Sequence, residues 1–218
     1  MLSPQSFSEN DRRVVAAWAA DCAERVLFLF EQEAPDDERA RDGIERARAF
    51  ARAELNTAGE IRRRFVAGRA AQAAASPAGK AAAWAAGQAS GVAHMGAHAL
   101  GAAAYAAKAA QLAAPDGGGA AEIAWQVANM DQAVKIALQQ LPLLGEDPSG
   151  PLGSGLLSSG VLGENIRSLQ SALSSTAYLA RLSAREAIAL KGRGAVNSAV
   201  CILTSTVNSS RIPVVTES

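Results

Sequence analysis

Residues 81–107 carry no formally charged side chain and consist largely of alanine and glycine. A segment of this length could cross roughly 30 Å of hydrocarbon as a helix. Alanine and glycine bury little apolar area, however, and His94, His98 and Gln88 would lose their water in a bilayer. Neither end carries a set of basic or aromatic anchors. The segment therefore predicts a buried helix at the centre of a protein core, and no membrane partner.

Helix start and stop signals predict an all-α fold, a bundle of about five helices. Ser8 and Thr57 begin stretches with capping-box spacing, and Ser76 precedes a proline at a first helical position. The predicted helices run from Ser8 to Gln32, from after Pro35 to about Leu55, from Thr57 to before Pro77, from Pro77 to Ala114, and from after PDGGG to Pro142.

Apolar stripes indicate which side of these helices is buried. The stripe of the first helix comprises Val15, Trp18, Cys22, Val26 and Leu29, and that of the fifth comprises Ile123, Val127, Met130, Val134 and Leu141. The second helix is charged on its outer side. Its pairs Asp42 with Arg46 and Asp37 with Arg41 have i,i+4 spacing, worth roughly 0.2–0.5 kcal/mol each on an exposed helix.

The fourth, alanine-rich helix carries a seam of residues spaced alternately three and four apart. The seam comprises Trp84, Gly87, Gly91, His94, His98, Gly101 and Tyr105. Its glycines would allow the backbone of a neighbouring helix to come close, while Trp84 and Tyr105 would close the two ends. We expect the seam to lie inside the bundle, and Val92, Met95 and Leu100 to contact other neighbours.

Composition changes near Leu144, where we place a domain boundary. Residues 1–144 form the predicted helical domain, residues 145–162 are rich in glycine, serine and proline and predict a linker, and 163–218 form a tail. Residues 163–191 can form an amphipathic helix using Ile166, Leu169, Leu173, Tyr178 and Leu182, and the AVCILTSTV run with Cys201 is typical of a strand. The tail is either a segment that packs on the bundle or a product without a selected fold.

Charge and cysteine content exclude several classes of function. Basic and acidic residues both number 21, so no net positive charge favours nucleic acid as a partner. Arg62, Arg63 and Arg64 fan over about 200° of a helix surface and predict a solvated face. Cys22 and Cys201 make no recognisable pair, and the N-terminal residues lack a signal-peptide pattern. A cytoplasmic location is the expectation.

His94 and His98 have the i,i+4 spacing with which two imidazoles on one helix can face a metal ion. The sequence has no third histidine, and a third ligand would have to be Asp21, Cys22 or Glu24. We expect no metal and no other cofactor, with both imidazoles hydrogen-bonded in the core. Cys22 shares an apolar stripe, which predicts a buried and inert thiol.

Three segments together resemble a known family. They are WAADCAERVLFLFE at 18–31, PDDERARDGIERARAFARAE at 35–54 and AHMGAHALGAAAYAAKAA at 93–110. In this order they resemble the all-helical putative immunity proteins of bacterial polymorphic toxin systems, over about residues 7–140. The resemblance implies a protein that binds a toxin made by the same cell and neutralises it, without enzymatic activity.

Nine residues of this chain match positions of the family segments. They are Trp18, Asp21, Cys22, Glu24 and Arg25 from the first segment and His94, His98, Tyr105 and Lys108 from the third. We expect them to define the fold, and exposed charges of the first two helices to contact the toxin. Two other hypotheses stay open: a helical metal- or small-ligand-binding protein using His94 and His98, and a nucleic-acid-associated scaffold.

Overall fold

The computed structural model describes residues 3–175, and every regular element in this range is helical. The α-helices are α1 (Glu9–Glu31), α2 (Arg39–Ala51), α3 (Thr57–Arg63), α4 (Val66–Arg69), α5 (Pro77–Gly91), α6 (His98–Ala113), α7 (Gly118–Ala128) and α8 (Gln132–Leu138). Short 3₁₀ turns occupy Ala70–Gln72 and Leu156–Ser158, and residues 160–175 are also helical. The predicted all-α class is confirmed for the described part of the chain.

Two of the predicted helix starts are confirmed by their hydrogen bonds. The Ser8 hydroxyl accepts from the Asp11 N–H at 3.1 Å at the start of α1. Ser76 caps α5 in the same way, with Pro77 as the first helical residue. At the start of α3 the cap is Asn56, one residue before the predicted Thr57, because its side-chain oxygen accepts from a backbone N–H of the first turn.

The alanine-rich segment occupies the centre of the bundle, as predicted. α5 packs against α1, α2, α4 and α6, and α6 packs against α1, α5 and α7. The close approach expected at a seam glycine is confirmed: a Cβ at Gly87 would lie 2.7 Å from the Cα of Gly68 on α4. Trp18 and Cys22 of α1 are buried in the same core.

The prediction of one continuous helix from Pro77 to Ala114 is wrong. α5 ends at Gly91 and α6 begins at His98, with a turn at 92–97. N-terminal residues hold this turn: the N–H groups of Gly96 and Ala97 donate to the backbone oxygens of Ser6 and Gln5 at 3.3 and 3.1 Å. These bonds satisfy donors that would otherwise be unpaired at the start of α6.

The chain therefore folds back on itself, which changes the predicted seam. Trp84 of α5 stacks on Tyr105 of α6 with ring centroids 6.1 Å apart, instead of lying at the far end of one helix. Gly87 and Tyr105 are buried as expected, but Trp84 and His94 are exposed. The seam therefore borders a surface opening at one end.

The third and fifth predicted helices are also interrupted. The third is divided into α3, α4 and a 3₁₀ turn, and the fifth is divided by residues 129–131, where Asp131 caps α8. Met130, Val134 and Leu141 are buried as predicted. On α7 the buried residues are Gly119, Glu122 and Gln126, whereas Ile123 and Val127 are partly buried.

The predicted i,i+4 ion pairs of the second helix are wrong. Asp42 does not bind Arg46, and Asp37 does not bind Arg41, because each side chain has a partner elsewhere. The observed pairs are Arg46 with Glu60, Arg41 with Glu31, Asp42 with Arg63, and Asp37 with Arg39. Three of these four pairs join different elements, so the charges hold the packing of α2.

Residues beyond Leu144 pack on the bundle as far as the structure describes them. Leu152 is fully buried, and its N–H donates to the side chain of the buried Gln5 at 2.9 Å. Ile166, Leu169 and Leu173 are buried as predicted. The compact unit extends to Ser174. Tyr178, Leu182, Cys201 and the AVCILTSTV run lie outside the described residues.

No helix within residues 3–175 combines the length and the hydropathy that a bilayer crossing requires.

Replacing Gly87 with valine is expected to lower the free energy of unfolding by about 1–3 kcal/mol. The new side chain would meet backbone atoms of Gly68, which cannot rotate away. Thermal and urea denaturation measure the effect. Gly155→Val is the matched control, since nothing lies within 4 Å of a Cβ at that position. Equal stability of the two variants would contradict the close packing of α4 on α5.

Leu169→Ala is expected to lower the free energy of unfolding by about 2–5 kcal/mol, the range for a buried leucine truncated to alanine. Leu169 is fully buried. Glu164→Ala, at an exposed position of the same helix, is expected to stay within about 0.5 kcal/mol of the wild type. Wild-type stability of Leu169→Ala, measured by urea denaturation, would show that the segment after residue 144 does not support the bundle.

Candidate functional site

A cleft of about 510 Å³ opens where α4 and α5 meet the start of α6. We call it the Trp84 cleft, and its side-chain walls are Arg64, Phe65, Arg69, Trp84, Gln88, His94 and His98. Gly68, Gly87 and Gly91 also line it. These glycines are places of close packing beside the cleft: a Cβ at Gly68 would lie 3.0 Å from the Trp84 ring, and a Cβ at Gly91 would lie 3.0 Å from the His98 ring.

A second hollow of about 440 Å³ shares four walls with the Trp84 cleft. The shared side chains are Trp84, Gln88, His94 and His98. The rest of the lining comprises Met95, Tyr105, Ser149, Gly150, Pro151, Gly155, Leu156 and Leu157. Leu156 belongs to the segment predicted to be a linker and is 69% exposed. This segment therefore forms part of the surface around Trp84.

The two histidines lie together, but in a different setting from the predicted one. His94 is in the turn between α5 and α6, His98 begins α6, and their ring centroids are 6.3 Å apart. His98 Nδ1 lies 2.8 Å from the side-chain oxygen of Gln88. Because an amide oxygen only accepts, Nδ1 carries the ring proton and Nε2 is left as an acceptor.

Both imidazoles are kept neutral by their surroundings. Burial lowers the pKa of His98 to about 4, with smaller contributions from His94 and Arg64. Burial also lowers the pKa of His94, as do the guanidinium groups of Arg64 and Arg12. A neutral imidazole beside a guanidinium can accept a hydrogen bond without adding charge to the cleft.

The residues considered as further metal ligands do not join the histidines. Within the described range, no three His, Cys, Asp or Glu side chains lie close enough together to hold a metal ion. Asp21 and Glu24 instead bind Arg48, with Arg48 Nη2 2.8 Å from Asp21. Cys22 is fully buried, and burial raises the pKa of its thiol well above the ordinary value.

The positions matched from the first segment surround another hollow, of about 300 Å³. Its lining comprises Trp18, Asp21, Glu24, Arg25, Arg48, Trp125 and Asn129. Arg25 Nε lies 2.9 Å from a Glu122 carboxylate oxygen, and its guanidinium is 3.9 Å from the centre of the Trp125 ring. The polar groups of this hollow are thus occupied by one another.

A buried polar network behind this hollow was missed by the sequence analysis. Glu122 is 4% exposed. The side-chain Nε2 of Gln126 donates to the Ala103 carbonyl oxygen at 3.1 Å, and the backbone carbonyl oxygen of Gln126 accepts from Trp18 Nε1 at the same distance. The i,i+4 spacing of Glu122 and Gln126 was the available signal. Ile123 and Val127 have the same spacing one residue later and are apolar, so the sequence analysis assigned the buried side of the helix to them.

The two matched segments therefore lie at different sites. Trp18, Asp21, Glu24 and Arg25 surround the smaller hollow, whereas His94, His98 and Tyr105 lie around the Trp84 cleft and its neighbour. Lys108 is half-buried on α6 and lines neither of them.

The arginines of the Trp84 cleft differ from those of α1 and α2. Six of the seven arginines on α1 and α2 bind carboxylates, and so does Arg52 just after α2. The six are Arg13, Arg25, Arg39, Arg41, Arg46 and Arg48. Arg64 and Arg69 have no carboxylate partner within residues 3–175. Arg64 donates to the Ile61 carbonyl oxygen at 2.6 Å and lies 4.2 Å from the centre of the exposed Phe65 ring.

A family profile for the Imm-5 like putative immunity protein matches residues 5–133, more than half of the chain. The chain belongs to this family. The resemblance identified from the three sequence segments is confirmed. The matched range includes α1 to α7 and every lining residue of the Trp84 cleft, while Leu156 lies outside it. No curated protein and no solved structure matches the chain.

Acidification is expected to destabilise the protein through His98. Its pKa is lower in the folded chain than the ordinary 6.5, so the unfolded chain binds the proton first as pH falls. The contribution of neutral His98 to the free energy of unfolding is fully present above about pH 6.5. As pH falls towards about 4, up to about 3 kcal/mol of this contribution is lost. The stability difference between wild type and His98→Gln should therefore shrink over this window in urea denaturation.

The control for this experiment is His94→Gln, because His94 is exposed and should contribute less. An NMR titration of the chain's two histidines measures the pKa values directly. A His98 midpoint near 6.5 would contradict a ring that is largely withdrawn from water and neutral.

Proposed function

We propose that this protein is a non-enzymatic inhibitor that binds and neutralises a cognate bacterial toxin, and that the Trp84 cleft is its contact surface. Family membership supports the immunity role. The observation that carries the choice of surface is the exposure of large aromatic side chains beside arginines that have no described carboxylate partner. Phe65 is 59% exposed and Trp84 is 43% exposed.

The cleft has the composition that dominates binding energy at protein interfaces. Tryptophan, tyrosine and arginine are enriched among residues whose truncation costs more than 2 kcal/mol of binding free energy. Stacking on Tyr105 holds the Trp84 ring in place before any partner arrives. A side chain that is already ordered loses less conformational entropy on binding, which favours affinity.

The charged surface of α1 and α2, the contact surface expected from the sequence, fits less well. Arg48 binds Asp21 and Glu24, and Arg41 binds Glu31. A toxin that used these groups would have to break existing ion pairs. Arg64 and Arg69 carry no such cost, because no described carboxylate competes for them.

A small-ligand site is the second candidate function, and the volume of the cleft favours it. A cavity of about 510 Å³ falls within the range of ligand pockets, roughly 300–1,000 Å³. His98 Nε2 and the Gln88 side chain supply polar contacts there. Metal analysis of protein prepared without chelators, compared with His94→Ala, tests the metal form of this hypothesis: stoichiometric metal that the variant loses would support it.

Affinity capture from the native organism, with the bound proteins identified by mass spectrometry, tests the inhibitor function. We expect one stoichiometric partner whose toxicity is suppressed by co-expression of this protein. Capture of no partner while the neighbouring genes are expressed, or a partner whose toxicity is unchanged, would overturn the proposal.

Variants of the exposed aromatic residues then test the surface. Phe65→Ala is expected to weaken toxin binding at least about tenfold, because a hot-spot aromatic contributes more than about 1.4 kcal/mol. Phe28→Ala is the matched control, an exposed phenylalanine on α1 that lines neither the cleft nor its neighbour. Isothermal titration calorimetry measures both affinities. Equal loss in the two variants would place the contact elsewhere.

A further inference from the structure

We propose that the Trp84 cleft docks an acidic segment of the toxin that inserts one apolar side chain beside Trp84. This inference rests on the proposed inhibitor function and adds the chemistry of the partner. It is carried by the charges of the cleft, by the free donors of its arginines and by the exposed aromatic rings.

The charges that line the cleft and the neighbouring hollow are all positive. Arg64 and Arg69 line the cleft, and no Asp or Glu of the described chain lines either space. The chain as a whole has no net charge, so this region is positive because of how the charges are distributed. Burial lowers the pKa of His94, and the nearby guanidinium groups of Arg64 and Arg12 lower it further.

The guanidinium groups retain hydrogen-bond donors for a partner. Arg64 donates one Nη1 bond to the Ile61 carbonyl oxygen, and a guanidinium has five N–H donors. Its packing against the Phe65 ring orients the group without neutralising it. Arg69 is exposed and lines the same cleft. Carboxylates are the groups that such donors bind in a bidentate way.

The apolar part of the cleft is the reason for proposing that the docked segment inserts an apolar side chain. Trp84 and Phe65 are both exposed, and both line the cleft of about 510 Å³. An aliphatic or aromatic side chain placed there would remove apolar surface of both partners from water. A segment carrying only carboxylates would leave this aromatic surface solvated.

A positive docking surface also limits which face of a toxin is bound. A phosphate-binding catalytic face is itself basic, because it must attract nucleic acid. Two basic faces repel each other and associate slowly. If the toxin is a nuclease, we therefore expect this cleft to bind an acidic face of it and not the basic phosphate-binding groove.

Charge reversal in the full chain tests the inference, with the captured toxin as the probe. Arg69→Glu is expected to weaken toxin binding at least about tenfold, chiefly through slower association, and to reduce the salt dependence of the association rate. Arg167→Glu is the matched control. It makes the same change of net charge at an exposed arginine outside the cleft that has no described carboxylate partner, and should change affinity less than about twofold.

A reciprocal exchange completes the test. A toxin variant in which one surface Asp or Glu becomes Lys should bind Arg69→Glu better than it binds the wild type. Wild-type affinity of both Arg64→Glu and Arg69→Glu, or tighter binding by either, would overturn the acidic segment while leaving the inhibitor function intact. A wild-type protein that neither binds nor neutralises any toxin would overturn the proposed function and this inference together.

Discussion

The fold depends on how closely α5 can approach its neighbours. Gly87 lies against the backbone of Gly68, and the buried faces of α5 and α6 are almost entirely alanine and glycine. Small side chains bring helix axes close together, but each buries little apolar area. The bundle therefore needs larger side chains from α1 and α2, such as Phe30 and Phe50, to complete its core.

Local signals predicted the fold wherever the determining contact is local. The Ser8 and Ser76 caps bond to residues three positions away, so their spacing was visible in the sequence. The turn at 92–97 depends on Gln5 and Ser6, about ninety residues earlier, and an uninterrupted alanine-rich run gave no sign of it. The i,i+4 ion pairs failed for the same reason, since Arg46 has the buried Glu60 of α3 within reach.

The sequence predicted some residues of the candidate site, but it did not predict how they are arranged. Periodicity placed Trp84, His94 and His98 on one seam, and the structure does bring them together. It does so by folding the chain back, which exposes Trp84 at a surface that the straight helix would have buried. Arg64 and Arg69 could not be assigned, because whether an arginine lacks a carboxylate partner is known only once the helices are packed.

The contacts of residues 3–7 have a consequence for the order of folding. Ser3 and Gln5 bond to Asp147, Gln5 also bonds to Leu152, and Ser6 accepts from the turn before α6. Residues 3–7 are synthesised long before Asp147 and Leu152. Closing so long a loop also has an entropic cost. The bonds of Gln5 and Ser6 to the turn can therefore form once residue 97 is available, whereas those to Asp147 and Leu152 need about 50 more residues of chain.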